Sequence, residues 1–376
     1  MTMKPEIIEV KSKADLKTFI RLPAAIHKNH HNWVPPIYMD DREFFNAKKN
    51  PAFGYSDTIM LLAYRDKKPV GRIMGIINHK YNDQTNSKEG RFCFMETFDD
   101  YEVYEALIGY VENWAREKGM EKMVGPLGFS DKDPQGFLVE GYDAPVVIAT
   151  NYNFPYMVDF IKRANYEKKV DLVVYKLEIP DEVPEFYQRI YERASRNNSN
   201  IRMVNFTSRR QMKPYVRPVF ELVNETFKDI YAFAPLSEKE MDEFANRYLM
   251  ILDPRFLKVL VNDQEVAVAF ILGMPDISEG IRKSKGRLIP FGFLHVLLQQ
   301  RKTKQLDLLM GGIKSEYRNS GLDSILGVKM VEEAKKAGME FIDSHLELET
   351  NSKMRAEMEK MGGVVYKRFR IFEKDL

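Results

Sequence analysis

The chain has 376 residues, more than one hydrophobic core usually serves, and 44% of them are apolar, which excludes a disordered polymer and implies two domains. Its charges nearly cancel, 57 Lys and Arg against 55 Asp and Glu, so it lacks the field of a general nucleic-acid binder. The single cysteine, Cys93, excludes an intramolecular disulfide and a cysteine zinc site; no metal is expected. No apolar run is long enough to span a bilayer, and the start, MTMKPEIIEVKSKADLK, carries charge where a signal peptide is apolar. A soluble, cytoplasmic protein is expected.

Taken in chain order, the elements repeat. TIMLLAYRDKKPVGRIMGII, from Thr58, predicts a β-hairpin turning at Arg65–Lys68. An amphipathic helix follows from Tyr101, closes at Gly119 and leads into a strand. A short helix and a strand follow from Asn153. After a helical connection over 181–197, the hairpin returns at 255–274 with its turn at Asn262–Glu265. The strand Gln305–Ile313 precedes a second long helix from Ser324, which closes at Gly338, and Asn351 opens a second short helix and strand. Asp66 and Asp263 lie 197 residues apart, Gly119 and Gly338 lie 219 apart, and Asn153 and Asn351 lie 198 apart. Two insertions of about 20 residues, around 275–302 and 125–147, account for the offsets. Each half reads β–α–α–β–β–β–α–β–α–β, so the fold class is α/β with a mixed sheet, in two tandem domains, 1–180 and 198–376.

In the second half, the strand ending at Ile313 feeds Lys314, Ser315, Glu316, Tyr317, Arg318, Asn319, Ser320, Gly321, Leu322, Asp323 and Ser324 before the long helix. A strand, a glycine-bearing turn and a helix N-terminus present backbone N–H groups to a phosphate. The turn resembles the pyrophosphate loop of the GNAT superfamily of acyl-CoA N-acyltransferases, Arg/Gln-x-x-Gly-x-Gly/Ala, at Arg318 and Gly321 and departs from it at Asp323. The resemblance implies that residues 313–324 bind acetyl-CoA or a longer acyl-CoA as co-substrate. The first half has the acidic stretch Glu96–Tyr101 instead and is read as a degenerate GNAT-like domain. Asn32-Trp33-Val34-Pro35-Pro36, Asn50-Pro51-Ala52-Phe53, Val70-Gly71-Arg72-Ile73, Gly125-Pro126 and Glu140-Gly141-Tyr142-Asp143 resemble a bacterial family of tandem GNAT-like proteins. Some members of it are linked to N-acylation of long-chain amino lipids, which implies a small-molecule or lipid amine as acceptor.

Period-two alternation over Phe341–Glu349 predicts one strand with Asp343, His345, Glu347 and Glu349 on a single face, and gives His345 or Glu347 the role of proton relay. Asn351 stands where many GNAT proteins open their fourth helix with asparagine. Their usual acid, a tyrosine seven residues on, is replaced by Met358, which leaves Tyr317 and Tyr366 as alternatives. The loop over 125–145, with Asp131, Asp133, Glu140 and Asp143, is placed to approach an amine or to lie in solvent. Residues 287–302 run from apolar to basic, which fits a buried helix, a lid, or a peripheral membrane contact. The alternative to an enzyme is a non-catalytic protein of the same fold that binds a lipid or peptide. Asp323 and the missing tyrosine are its warrant.

Overall fold

The computed structural model describes residues 4–249 and 251–376. The first half runs β1 (Glu6–Glu9), α1 (Lys13–Ile26), α2 (Tyr38–Phe44), β2 (Ser56–Arg65), β3 (Lys68–Asn78), α3 (His79–Thr85), β4 (Glu89–Thr97), α4 (Tyr101–Glu117), β5 (Lys122–Gly125), β6 (Phe137–Glu140), α5 (Pro155–Arg163) and β7 (Glu167–Glu178). Helix α6 (Glu185–Asn197) occupies the stretch read as a connection. The second half runs β8 (Arg202–Val204), α7 (Arg209–Met212), α8 (Val216–Thr226), α9 (Glu238–Tyr248), β9 (Leu257–Val261), β10 (Ala267–Pro275), α10 (Ser278–Lys283), α11 (Gly292–Lys302), β11 (Gln305–Ile313), α12 (Leu322–Lys336), β12 (Phe341–Asp343), β13 (Glu347–Leu348), α13 (Ser352–Lys360) and β14 (Val364–Asp375).

Local chemistry sets these elements. The β2–β3 hairpin closes through Asp66 and Lys67, both at positive φ (48° and 63°), as a two-residue turn matching strand twist requires. Gly119 and Gly338 follow α4 and α12 at φ 78° and 73°, the left-handed cap that ends a helix at no Cβ cost.

The sheet is continuous, in the order β1-β2-β3-β4-β5-β14-β7-β12-β11-β10-β9-β8. The halves have exchanged their last strands. β7, from the first half, pairs with β12 of the second; β14, from the second, pairs with β5 of the first. β7 and β14 also pair with each other, from Val364–Lys176 to Glu373–Glu167. Each half thus completes the other's sheet. Leu172, Val174, Phe369 and Ile371 bury the seam, together with Val124 and Leu138.

The two halves differ at their forks. Parallel pairing of β4 with β5 covers only Glu89–Arg91 with Lys122–Val124, and that of β11 with β12 covers only Gln305–Asp307 with Phe341–Asp343. In the first half the chain leaving β5 fills the gap: the Leu127 N–H donates to the Phe92 carbonyl (2.8 Å). A Cβ on Gly125 would lie 2.3 Å from that carbonyl, so only glycine lets the plug close. In the second half the gap stays open. A register shift at Leu272/Gly273, where Leu309 is the extra residue on β11, adds a local bend there.

Candidate active site

The open fork is a cavity of about 1240 Å³, above the usual small-molecule range of roughly 300–1,000 Å³. Its walls are mainly apolar: Leu308–Ile313 of β11, Val219, Val223 and Phe227 of α8 and the turn after it, and Val328 and Met330 of α12.

At one end sits the turn before α12. Gly321 holds φ 87° as the helix N-cap, and no side chain caps the helix. Among the described residues, the N–H groups of 319–324 have no acceptor in the chain. By contrast, the matching helix α4 is capped by its own carboxylate, Asp100 Oδ1 accepting from Val103 N–H (3.3 Å). One half caps its long helix with a carboxylate of its own; among the described residues the other half does not. Of the residues assigned to acyl-CoA, Ile313, Arg318, Asn319, Asp323 and Ser324 line the cavity. Lys314 and Ser315 belong to the approach from β11, Ser320 and Gly321 pack toward α6, and Leu322 is buried in the core. Helix α6 props the turn. A Cβ on Gly321 would lie 2.7 Å from the Ala194 Cβ, and Asn198 Nδ2 donates to the Ser320 carbonyl (3.0 Å). Asp323 is exposed in the first turn of α12, and its charge acts on Lys360 of α13.

At the fork itself, the single strand expected over 341–349 is broken. β12 ends at Asp343, His345 takes φ 58°, and β13 begins at Glu347. The expected common face therefore does not form, because a left-handed residue interrupts the two-residue period. His345 and Glu347 line the cavity; Asp343 is buried beneath it, and Glu349 points elsewhere, accepting from Asp171 N–H (2.9 Å) and pairing with Lys168. His345 Nε2 lies 3.0 Å from the Ile148 carbonyl. A carbonyl only accepts, so Nε2 carries the proton and the neutral ring's lone pair is on Nδ1. Burial pushes the Glu347 carboxyl up to about 7, against Asn351 Nδ2, whose hydrogen bond (3.4 Å) pulls the other way. Asn351 also caps α13, accepting from Met354 N–H.

Sequence reasoning missed the acids below the fork. Asp276, Asp307 and Asp343 converge there with one cation, Lys367, whose Nζ lies 4.0 Å from Asp343 Oδ2 and donates to the Pro145 carbonyl (2.7 Å). Burial, then the Asp276 and Asp343 charges, push Asp307 well above the usual carboxylate range. The one available signal was a lone aspartate inside an apolar strand. Tyr366 donates its hydroxyl to Asp343 Oδ2. Burial and that carboxylate hold its pKa far above the ordinary tyrosine value, which makes it a poor donor to a thiolate. Tyr317 packs against the α12 core, and Met358 is buried against Val173 and Tyr175.

A second cavity, of about 980 Å³, lies on the first half's side. Lys132, Asp133, Ile148, Ala149 and Leu236 line both. The 275–302 insertion closes it by docking on the first half: Tyr38 N–H donates to the Gly286 carbonyl (3.1 Å), and Arg282 Nη1 to the His31 carbonyl (2.9 Å). This insertion is not the buried cover expected as one alternative. Ile289 and Phe291 are each 71% exposed, and Phe293, Leu294, Leu297 and Leu298 are also exposed.

No family model matches the chain. It is 29% identical over 377 aligned residues to "Bacterial ceramide synthase" of Caulobacter vibrioides, covering 98% of this chain and 97% of that protein. It is 27% identical to "Protein YghO" of Escherichia coli, covering 97% and 94%. Among solved structures it resembles a tandem GNAT protein from the clavulanic acid biosynthesis pathway (TM-score 0.55, 12% identity, 99% of this chain and 98% of that one). It also resembles a GCN5-related N-acetyltransferase from Sphaerobacter thermophilus (TM-score 0.52, 12% identity, 98% and 95%). The exchanged sheet, the open fork and these matches agree: the chain has a tandem GNAT fold.

Proposed function

We propose that the protein is an N-acyltransferase that moves an acyl group from acyl-CoA to an amine, with a long-chain amino lipid as acceptor. The observation that carries this is the apolar cavity running from the uncapped start of α12 to the fork of β11 and β12. The free N–H groups of 319–324 fit a diphosphate, and the cavity fits an acyl chain. The relative named as a ceramide synthase supports the acceptor class, since a ceramide is the amide of a long-chain amine.

The chemistry assigns one role to each group. The ammonium sheds a proton, and its nitrogen attacks the thioester carbon. A C–N bond forms, the C–S bond breaks, and Glu347 takes the second N–H proton and returns it to the leaving thiolate. A carboxyl near 7 can do both at neutral pH. His345 holds the 148 backbone against the fork and offers Nδ1 as a second acceptor. The unpaired edge of β11 beyond Asp307 is the place for the thioester carbonyl. The first half is the degenerate domain, its fork plugged and its helix capped.

The exposed patch over 289–298 would rest on the membrane that holds the acceptor. Among the described residues, no helix is long and apolar enough to cross one.

Calorimetry with acetyl-CoA and palmitoyl-CoA tests the reading. Saturable binding is expected, tighter for palmitoyl-CoA, and silence with both overturns it. A lipid carrier of the same fold, which Asp323 and Met358 favour, would bind and yield no amide when a long-chain amine is added.

A further inference from the structure

The second cavity lies outside the residues assigned to acyl-CoA, yet it meets the first at Lys132, Asp133, Ile148, Ala149 and Leu236. The meeting point lies beside the fork, because His345 is hydrogen-bonded to the Ile148 carbonyl. Away from the junction one stretch of wall is apolar and comes from two places, Trp33, Val34 and Ile37 of the first half and Ile281, Leu288 and Val296 of the insertion, while another is charged, with Asp40, Asp41, Arg72 and Glu96. Helices α10 and α11 are packed as closely as glycine permits, since a Cβ on Gly280 would lie 2.7 Å from the Val296 Cα. Ile281 of α10 and Val296 of α11 line the cavity, while Ile289 and Phe291, between the two helices, and Leu294 and Leu298 of α11 are exposed. Lys285, Arg287, Arg301 and Lys302, all exposed and without an acidic partner among the described residues, flank these exposed residues.

We infer that the second cavity is the acceptor site, holding a long-chain primary amine with its ammonium at Asp133 and its aliphatic tail along Val34, Ile37, Leu288 and Val296, entered from the α10–α11 face. The inference rests on the N-acyltransferase reading and deepens it.

Three observations support this polarity. Asp133 is the carboxylate that lines both cavities. Its carboxylate accepts from Ser130 N–H (3.2 Å) and from the Phe129 backbone, which holds it in place where the two cavities meet. The neighbouring Lys132, whose charge reaches Asp133, is already engaged at the same loop, its Nζ bonded to Asp131 and to the Ala234 carbonyl (2.6 Å). The apolar stretch of wall includes Ile281, Leu288 and Val296, from the same segment that carries the apolar, basic-flanked face suited to an anionic lipid surface, so a lipid amine would enter tail-side from the bilayer and present its nitrogen to the thioester.

The chain supplies its own probe. It has two tryptophans; Trp33 lines this cavity, and Trp114 packs in the first-half core. In a Trp114→Phe background, 12-bromododecylamine should quench Trp33 emission saturably, and saturating palmitoyl-CoA should not displace it. Leu288→Arg should weaken the amine at least tenfold and leave palmitoyl-CoA affinity within twofold, which also shows that the variant is folded. Asp133→Asn should weaken dodecylamine tenfold and leave dodecanol unchanged. Absence of quenching, displacement by palmitoyl-CoA, or an equal loss of both ligands in Leu288→Arg overturns the inference. Failure of palmitoyl-CoA to bind, with quenching intact, would overturn the N-acyltransferase reading instead.

Discussion

Asp307 and Asp343 face each other across the last paired rung of β11 and β12, immediately before the strands part. Both are fully buried, yet their partners differ. Asp343 accepts from the Tyr366 hydroxyl and from His345 N–H (2.7 Å) and lies near Lys367; Asp307 receives one hydrogen bond, from Gln305, and its Oδ2 has no partner. Two substitutions of the same kind should therefore differ. Asp307→Asn replaces a carboxyl whose pKa burial raises by a neutral isostere and should leave urea stability at pH 7 nearly unchanged. Asp343→Asn removes the group that accepts from Tyr366 and His345 and lies nearest the buried Lys367, and should cost about 3–5 kcal/mol. Equal losses in the two variants would refute this difference in pairing.

Glu347 links activity to pH. Its folded pKa is raised to about 7, so its contribution to stability is fully present below the unfolded value, about 4.3, and is lost as pH rises through about 7. Glu347→Gln removes the group that must charge. The variant should melt higher than the parent at pH 8, with the difference shrinking at pH 5. Amide formation should fall by about 10²–10⁴-fold, and the activity limb near pH 7 should vanish. Melting curves at the two pH values and a pH–rate profile check both halves.

The start of α12 should respond to charge. Asp323 is exposed beside N–H groups that have no acceptor in the chain. Asp323→Asn should tighten palmitoyl-CoA severalfold at low salt, and Arg318→Glu should weaken it about tenfold, both effects fading at high salt. Calorimetry at two ionic strengths reads the result.

Gly321 tests the support from α6. Its φ of 87° and the 2.7 Å approach of Ala194 are separate constraints. Gly321→Ala should destabilise by about 1–2 kcal/mol from the backbone alone, and more from the contact. Adding Ala194→Gly should recover the contact share and leave the backbone share, as thermal or urea unfolding would show. Because the Cβ direction at 321 points to α6, a large side chain there reports on packing more than on anion binding.

The exposed apolar face predicts vesicle binding. A Phe291→Ser and Leu298→Ser double variant should lose most affinity for phosphatidylglycerol vesicles in a sedimentation assay. Neutral phosphatidylcholine vesicles should bind the parent weakly, because the flanking cations have no partner there.

The hairpin turn at Asp66–Lys67, the caps at Gly119 and Gly338 and the strand Gln305–Ile313 were legible because each depends on residues close in sequence. So was the turn at Arg318 and Gly321, since a strand, a glycine and a helix follow one another directly. The face of 341–349 was misread: alternation holds only while the backbone stays extended, and His345 leaves that region where β12 and β13 meet β7. Met358 did mark the missing tyrosine, but its burial against Tyr175 needs a strand from the other half.

By itself, the sequence determined the repeated order of helices and strands, the position of each turn and the presence of one glycine-bearing loop, because these follow from period, propensity and caps acting over a few residues. Only the tertiary structure decided which strands were exchanged, which fork stayed open, and that Asp276, Asp307, Asp343 and Lys367 would share one buried space. Those outcomes depend on which distant segments displace water from each other, and desolvation, which raises the pKa of Asp307 and Glu347, has no local signature in the chain.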